Sequence, residues 1–155
     1  MSLTTADRQA LADLVARYAA NVDQRSAGSA LALFTDDAVL GVPAPPDELG
    51  PTSFLEGPDI AVAMQVVERY PMTKHEIVGQ LFDETEDPHT ATGRISCIAH
   101  HLRRNSAGEL EDLIWHLTYA DTYRESGGTW RYARREITID WIERRTPRRW
   151  RIAEA

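Results

Sequence analysis

From residue 74 onward the chain is built of four long runs broken only by short polar turns. The runs cover 74–82, 90–103, 110–125 and 130–143, and the breaks are DETEDPH (83–89), RNSAGE (104–109) and SGGT (126–129). Runs of this length with alternating side chains predict β-strands. Links this short force each strand to lie antiparallel to the one before it. Strands of a dozen residues or more coil strongly. The second half therefore predicts a curved antiparallel sheet whose concave face needs a cover.

The first half supplies it. Leu11, Leu14, Val15, Tyr18 and Val22 recur at helical spacing after the cap candidates Thr4 and Thr5. Asp23 falls at the end of that helix. A second, shorter helix is expected over residues 26–34, followed by a strand in TDDAVLGV that ends before Pro43. Residues 43–57, with four prolines, read as a long loop of the lid or binding type. Gly57-Pro58-Asp59 opens a third helix that stops at Tyr70-Pro71. Helices followed by a strand meander give an α+β fold. We expect a cone-shaped barrel: a strongly curved, mixed but mainly antiparallel sheet, with three N-terminal-half helices enclosing a cavity. Such concavities are ligand sites by default.

The length of 155 residues predicts one domain, over 1–145, with a basic C-terminal tail over 146–155. The net charge of −7 argues against a nucleic-acid binder. The arginines near the end (Arg144, Arg145, Arg148, Arg149, Arg151) read as a solvated or subunit-contacting end. The lone Cys97 excludes an intrachain disulfide and fits a reducing compartment, so a cytoplasmic location is expected. No signal peptide and no membrane-spanning run is visible. Ile114 and its neighbours on the outer sheet face suggest a homo-oligomer, dimer or trimer.

Several residues could carry chemistry. His75, in TKHEIVGQ, shares strand parity with Ile77, Gly79 and Leu81. That placement fits a core histidine or a base lining a pocket. Asp23 faces the negative end of its helix dipole, which costs about 0.3–1 kcal/mol unless a donor offsets it. His100 and His101 are adjacent on one strand and cannot both point inward. His101 shares parity with Ile95, Cys97 and Ala99, and is the better pocket candidate. Trp115, Leu117 and Tyr119 share one face, while Ile114, His116 and Thr118 share the other. His89 lies in a polar turn. The sequence has no phosphate-binding glycine loop, no G-x-S-x-G and no metal-ligand spacing, so neither cofactor nor metal is expected. Cys97 has no activating motif.

Four stretches together resemble the SnoaL-like branch of the nuclear transport factor 2-like superfamily, near its scytalone dehydratase-like members. They are NVDQRSAGSALALFTDDA, TKHEIVGQ, GRISCIAHHLR and DTYRESGGTWRYARREITIDW. The resemblance covers nearly the whole chain. It implies that an Asp–His dyad falls on Asp23 and His75, a tyrosine on Tyr18 and a second histidine on His101, which would protonate a leaving hydroxyl. Tyr119 stands where scytalone dehydratase-like members have a substrate-contacting asparagine. The resemblance implies a cofactor-free lyase of the dehydratase type for a small cyclic or polyketide-like hydrophobic substrate, bound by Trp115, Leu117 and Tyr119. Its alternatives are an isomerase or aldol-type cyclase with the same dyad, or a non-catalytic subunit like the small subunit of ring-hydroxylating dioxygenases. Fold alone does not choose among them.

Overall fold

The computed structural model describes residues 2–152. Within them the chain runs α1 (Thr5–Asp23), α2 (Ala27–Leu31), β1 (Phe34–Ala44), β2 (Glu48–Glu56), a 3₁₀ turn (Gly57–Ile60), α3 (Ala61–Val67), β3 (Met72–Glu84), β4 (Thr90–Arg104), β5 (Leu110–Ser126) and β6 (Thr129–Arg145). The six strands form one sheet in the order β2-β1-β6-β5-β4-β3. Only β1 and β6 pair in parallel. The sheet curls around α1 without closing into a barrel, because β2 and β3 remain as its edges.

Thr4 caps α1 through a capping box with Asp7. The indole N–H of Trp130 donates to the same Asp7 at 3.0 Å and ties the start of β6 to the helix. The apolar stripe of α1 (Leu11, Leu14, Val15, Tyr18, Val22) is buried against inward residues of the sheet, among them Ile95, Cys97, Leu117, Tyr123, Tyr132 and Ile139. Three-dimensional packing of that stripe, rather than helix propensity, holds such a helix in place. Where β4 passes under Tyr123 it carries Gly93. A Cβ there would lie 2.6 Å from the Tyr123 hydroxyl.

Three expectations need correction. Residues 43–57 are not a loop: β1 runs through Pro43, and β2 pairs with it antiparallel from Val39↔Glu56 to Val42↔Ser53. Pro51 is tolerated because β2 is an edge strand, where a missing N–H costs no ladder bond. Second, the parity of β3 breaks. A bulge between Ile77 and Gly79 leaves Thr73, His75 and Ile77 inward but turns Leu81 out (65% exposed) and Phe82 in. Third, Ile114 is on the outer face but is only 1% exposed, so it offers no sticky surface. The helices are also shorter than expected: α2 spans five residues, and α3 ends at Val67.

Candidate active site

Asp23 is the last residue of α1. The chain leaves the helix through Arg25, held at φ 58. That left-handed turn is uncommon for a residue with a Cβ, and it is held by the Arg25 side chain. Its guanidinium donates to the Asp23 carbonyl at 3.2 Å and to the Tyr70 carbonyl. The Asp23 carboxylate is thereby brought against the first residues of β3. Its Oδ1 accepts from the Thr73 hydroxyl at 3.0 Å and lies 2.7 Å from His75 Nδ1. Its Oδ2 accepts the His75 backbone N–H at 2.8 Å. Three donors offset the unfavourable helix-end position.

These contacts set the tautomer. A carboxylate only accepts, so the shared proton sits on Nδ1 of His75 and the lone pair is on Nε2. The His75 side chain is 8% exposed and that of Asp23 21%. His101 is arranged differently. Its Nδ1 lies 3.0 Å from the Leu113 carbonyl, which also only accepts. Burial pushes its pKa down to about 4. It is therefore a neutral imidazole with Nδ1 protonated and Nε2 bare. The rings of His75 and His101 meet edge-on, with centroids 6.1 Å apart. Trp115 and Tyr70 pack on His101 at 4.4 and 4.9 Å.

Both histidines line a cavity of about 290 Å³. Tyr18, Trp115, Leu117 and Tyr119 line it too, while Asp23 sits behind His75. The remaining wall is apolar: Val22, Leu40, Val42, Leu55, Met64, Val67 and Ile137. Val62 and Val66 of α3 are half exposed and form its lip. Burial raises the phenol pKa of Tyr18 and of Tyr119, so both are neutral hydroxyls. Beneath them lies Arg135, fully buried. Its guanidinium carbon is 4.4, 3.7 and 4.4 Å from the ring centres of Tyr18, Tyr119 and Tyr132. Asp121 grips it with two bonds of 2.8 Å and accepts the Tyr123 hydroxyl at 2.7 Å.

The structure brings together the seven residues singled out in sequence: Tyr18, Asp23, His75, His101, Trp115, Leu117 and Tyr119. His100 points outward, with Nδ1 2.6 Å from Asp112 and Nε2 3.2 Å from Glu76. His116 stacks on Trp141 on the outer face, and His89 pairs with Glu125 in its turn. Burial pushes the Cys97 thiol up to about 12, which leaves it inert. Among the described residues, no group of three or more His, Cys, Asp or Glu side chains is placed to hold a metal ion. Sequence reasoning missed Thr73, although its parity with His75 places it on the same face. It also missed the Arg135–Asp121 pair, the apolar wall from β1 and β2, and Tyr70.

The same architecture recurs in solved structures. A Novosphingobium aromaticivorans protein provisionally named a scytalone dehydratase superposes with a TM-score of 0.74 at 18% identity, covering 89% of this chain and 87% of its own. A type 2 hexachlorocyclohexane dehydrochlorinase (LinA) gives 0.74 at 18% identity, over 95% and 94% of the two chains. A second N. aromaticivorans protein, provisionally named an aromatic ring hydroxylase, gives 0.73 at 20%, over 92% and 95%. At such identities the likeness shows the fold alone. Among curated proteins, no sequence matches. The SnoaL-like domain profile matches residues 4–136, most of the chain. The chain thus belongs to the SnoaL-like family of the nuclear transport factor 2-like superfamily.

Proposed function

We propose that the protein is a cofactor-free lyase of the dehydratase type acting on a small hydrophobic cyclic substrate in the 290 Å³ cavity. The observation that carries this reading is the 2.7 Å contact between Asp23 and His75 Nδ1, with the backbone N–H of His75 held by the same carboxylate. It leaves a bare, oriented Nε2 on an apolar cavity wall. An imidazole is suited to taking a proton made acidic by an adjacent carbonyl. Asp23 orients the ring and stabilises the imidazolium that forms.

The steps balance without a cofactor. Nε2 of His75 takes a proton from the carbon next to a substrate carbonyl. Charge moves onto the carbonyl oxygen, where the neutral Tyr18 hydroxyl donates a hydrogen bond. The bond from the β-carbon to its hydroxyl then breaks and a carbon–carbon double bond forms. The imidazolium of His75 returns its proton to the departing oxygen, which leaves as water. His101 is not the acid in this scheme. Neutral, with its one proton committed to the Leu113 carbonyl, it has only an acceptor for the substrate hydroxyl. Trp115, Leu117 and Tyr119 hold the ring.

The test is deuterium uptake from D₂O into an apolar cyclic β-hydroxyketone, followed by mass analysis of the product. Wild-type protein is expected to catalyse both exchange and loss of water. His75→Ala is expected to lower the exchange rate by about 10²–10⁴-fold. Exchange in the variant at the wild-type rate would sink the mechanism. A product that keeps its oxygen would instead mark an isomerase or cyclase.

A further inference from the structure

The cavity has a neighbour. A second chamber of about 510 Å³ lies beyond Trp115, whose side chain lines both spaces. Its wall continues the inward rows of three strands by one step: His101 to Arg103 on β4, Trp115 to Leu113 on β5, and Ile142 to Arg144 on β6. Tyr70, which packs on His101, and the Pro45-Pro46 turn between β1 and β2 complete it.

The charges in this chamber do not cancel. Glu143 is engaged on the far side, where its Oε1 accepts from Arg145 at 3.1 Å and lies 2.8 Å from His116 Nε2. Glu111 accepts Arg103 Nε at 2.7 Å, which leaves the terminal nitrogens of Arg103 open. Arg144 comes no nearer to a carboxylate oxygen than 3.8 Å, at Glu111. Among the described residues it has no acceptor within hydrogen-bond distance. The Trp115 indole N–H is buried and unpartnered as well. Two arginines thus stand in this wall with one carboxylate between them, and the unpartnered indole belongs to the wall shared with the inner cavity, on a chain whose net charge is −7. A guanidinium in such a setting is suited to a planar anion taken side-on.

We propose that the outer chamber is the subsite for an anionic arm of the substrate. The substrate class is then an apolar ring acid: the ring in the inner cavity at His75, the carboxylate at Arg144 and Arg103. This rests on the reading of the inner cavity as the substrate site.

Calorimetric titration with 1-naphthaleneacetic acid and 1-naphthaleneacetamide separates the two. They share a ring and differ in the charge of the arm, so the amide reports the inner cavity and the difference reports the outer chamber. The acid is expected to bind wild-type protein roughly five- to tenfold more tightly than the amide, and less so in high salt. Arg144→Gln is expected to remove most of that preference, and R103Q/R144Q the rest, with amide affinity unchanged. Equal affinities in wild type, or a preference that survives the double variant, would overturn the proposal while leaving the inner cavity standing. Failure of both compounds to bind would remove both readings.

Discussion

Two aspartates that pair with a base near the cavity differ in how far they are enclosed. Asp121 holds Arg135 in a region where both side chains are fully buried, with three tyrosine rings around the guanidinium and a fourth tyrosine bonded to the carboxylate. Asp23 holds His75 where the carboxylate is 21% exposed and the ring borders a cavity. In the first pair the charge is enclosed by protein. In the second, the base borders an apolar cavity. A closed pair can only hold structure, whereas an open one can exchange a proton. The floor made by the closed pair also fixes where Tyr18 and Tyr119 stand.

The contrast can be broken at either pair. Asp23→Asn should take the turnover of a dehydration substrate down by about 10²–10⁴-fold, because an amide no longer selects the tautomer with a bare Nε2. Urea unfolding of the same variant should shift only slightly, since the side-chain oxygen still accepts from Thr73. A stability loss matching that of the closed pair would erase the distinction. Asp121→Ala should cost about 3–5 kcal/mol in urea unfolding, because it strands a buried guanidinium. A loss under about 1 kcal/mol would mean that water reaches Arg135.

His101 stands between the two regions, and its burial makes a prediction with pH. Its pKa is pushed from 6.5 to about 4 in the folded chain. Above pH 6.5 neither state binds the proton. As pH falls toward 4 only the unfolded chain binds it, so stability is lost across that window. The contribution is on the order of 3 kcal/mol. His101→Phe should flatten the pH dependence of unfolding between pH 6.5 and 4. An unchanged slope would show that His101 is charged when folded. The smallest effect expected is at Gly93→Ala, at about 1–3 kcal/mol, from pressing the Tyr123 hydroxyl against its Asp121 partner. Were Gly93→Ala neutral by thermal melting, the closed region would be looser than its burial implies.

Much of this was legible beforehand. The α1 stripe, the four long strands and their short turns are local patterns with fixed periods, 3.6 and 2, and need no knowledge of what packs on them. The parity of β4 and β5 put His101, Trp115, Leu117 and Tyr119 on one face, and the structure keeps them there. The pairing of Asp23 with His75 came from the family resemblance, since nothing local joins residues 52 positions apart. The parity argument failed on β3 and β6. On β3 the bulge at Val78 flips Leu81 out. On β6, register shifts opposite Thr122/Tyr123 and His116/Leu117 place Tyr132, Arg135, Ile139 and Ile142 all inward, an order no single period predicts. Arg135, set in a run of polar residues, therefore carries no local sign of its burial. Residues 43–57 misled for a related reason. Four prolines mark a loop by local rules, but Pro43 stands within β1, Pro45 and Pro46 make the turn, and the edge position of β2 accommodates Pro51.

The sequence alone determined the order of the elements other than β2, and which face of each regular strand is apolar, because these follow from side chain and backbone geometry over a few neighbouring residues. The tertiary structure decided the rest. It decided that Asp23 reaches His75, that His101 donates its N–H to the Leu113 carbonyl, and that Arg135 packs against the cavity tyrosines. Those outcomes depend on bulges, an edge and a helix exit at Arg25, where the local period breaks and only packing against distant residues chooses the direction of a side chain.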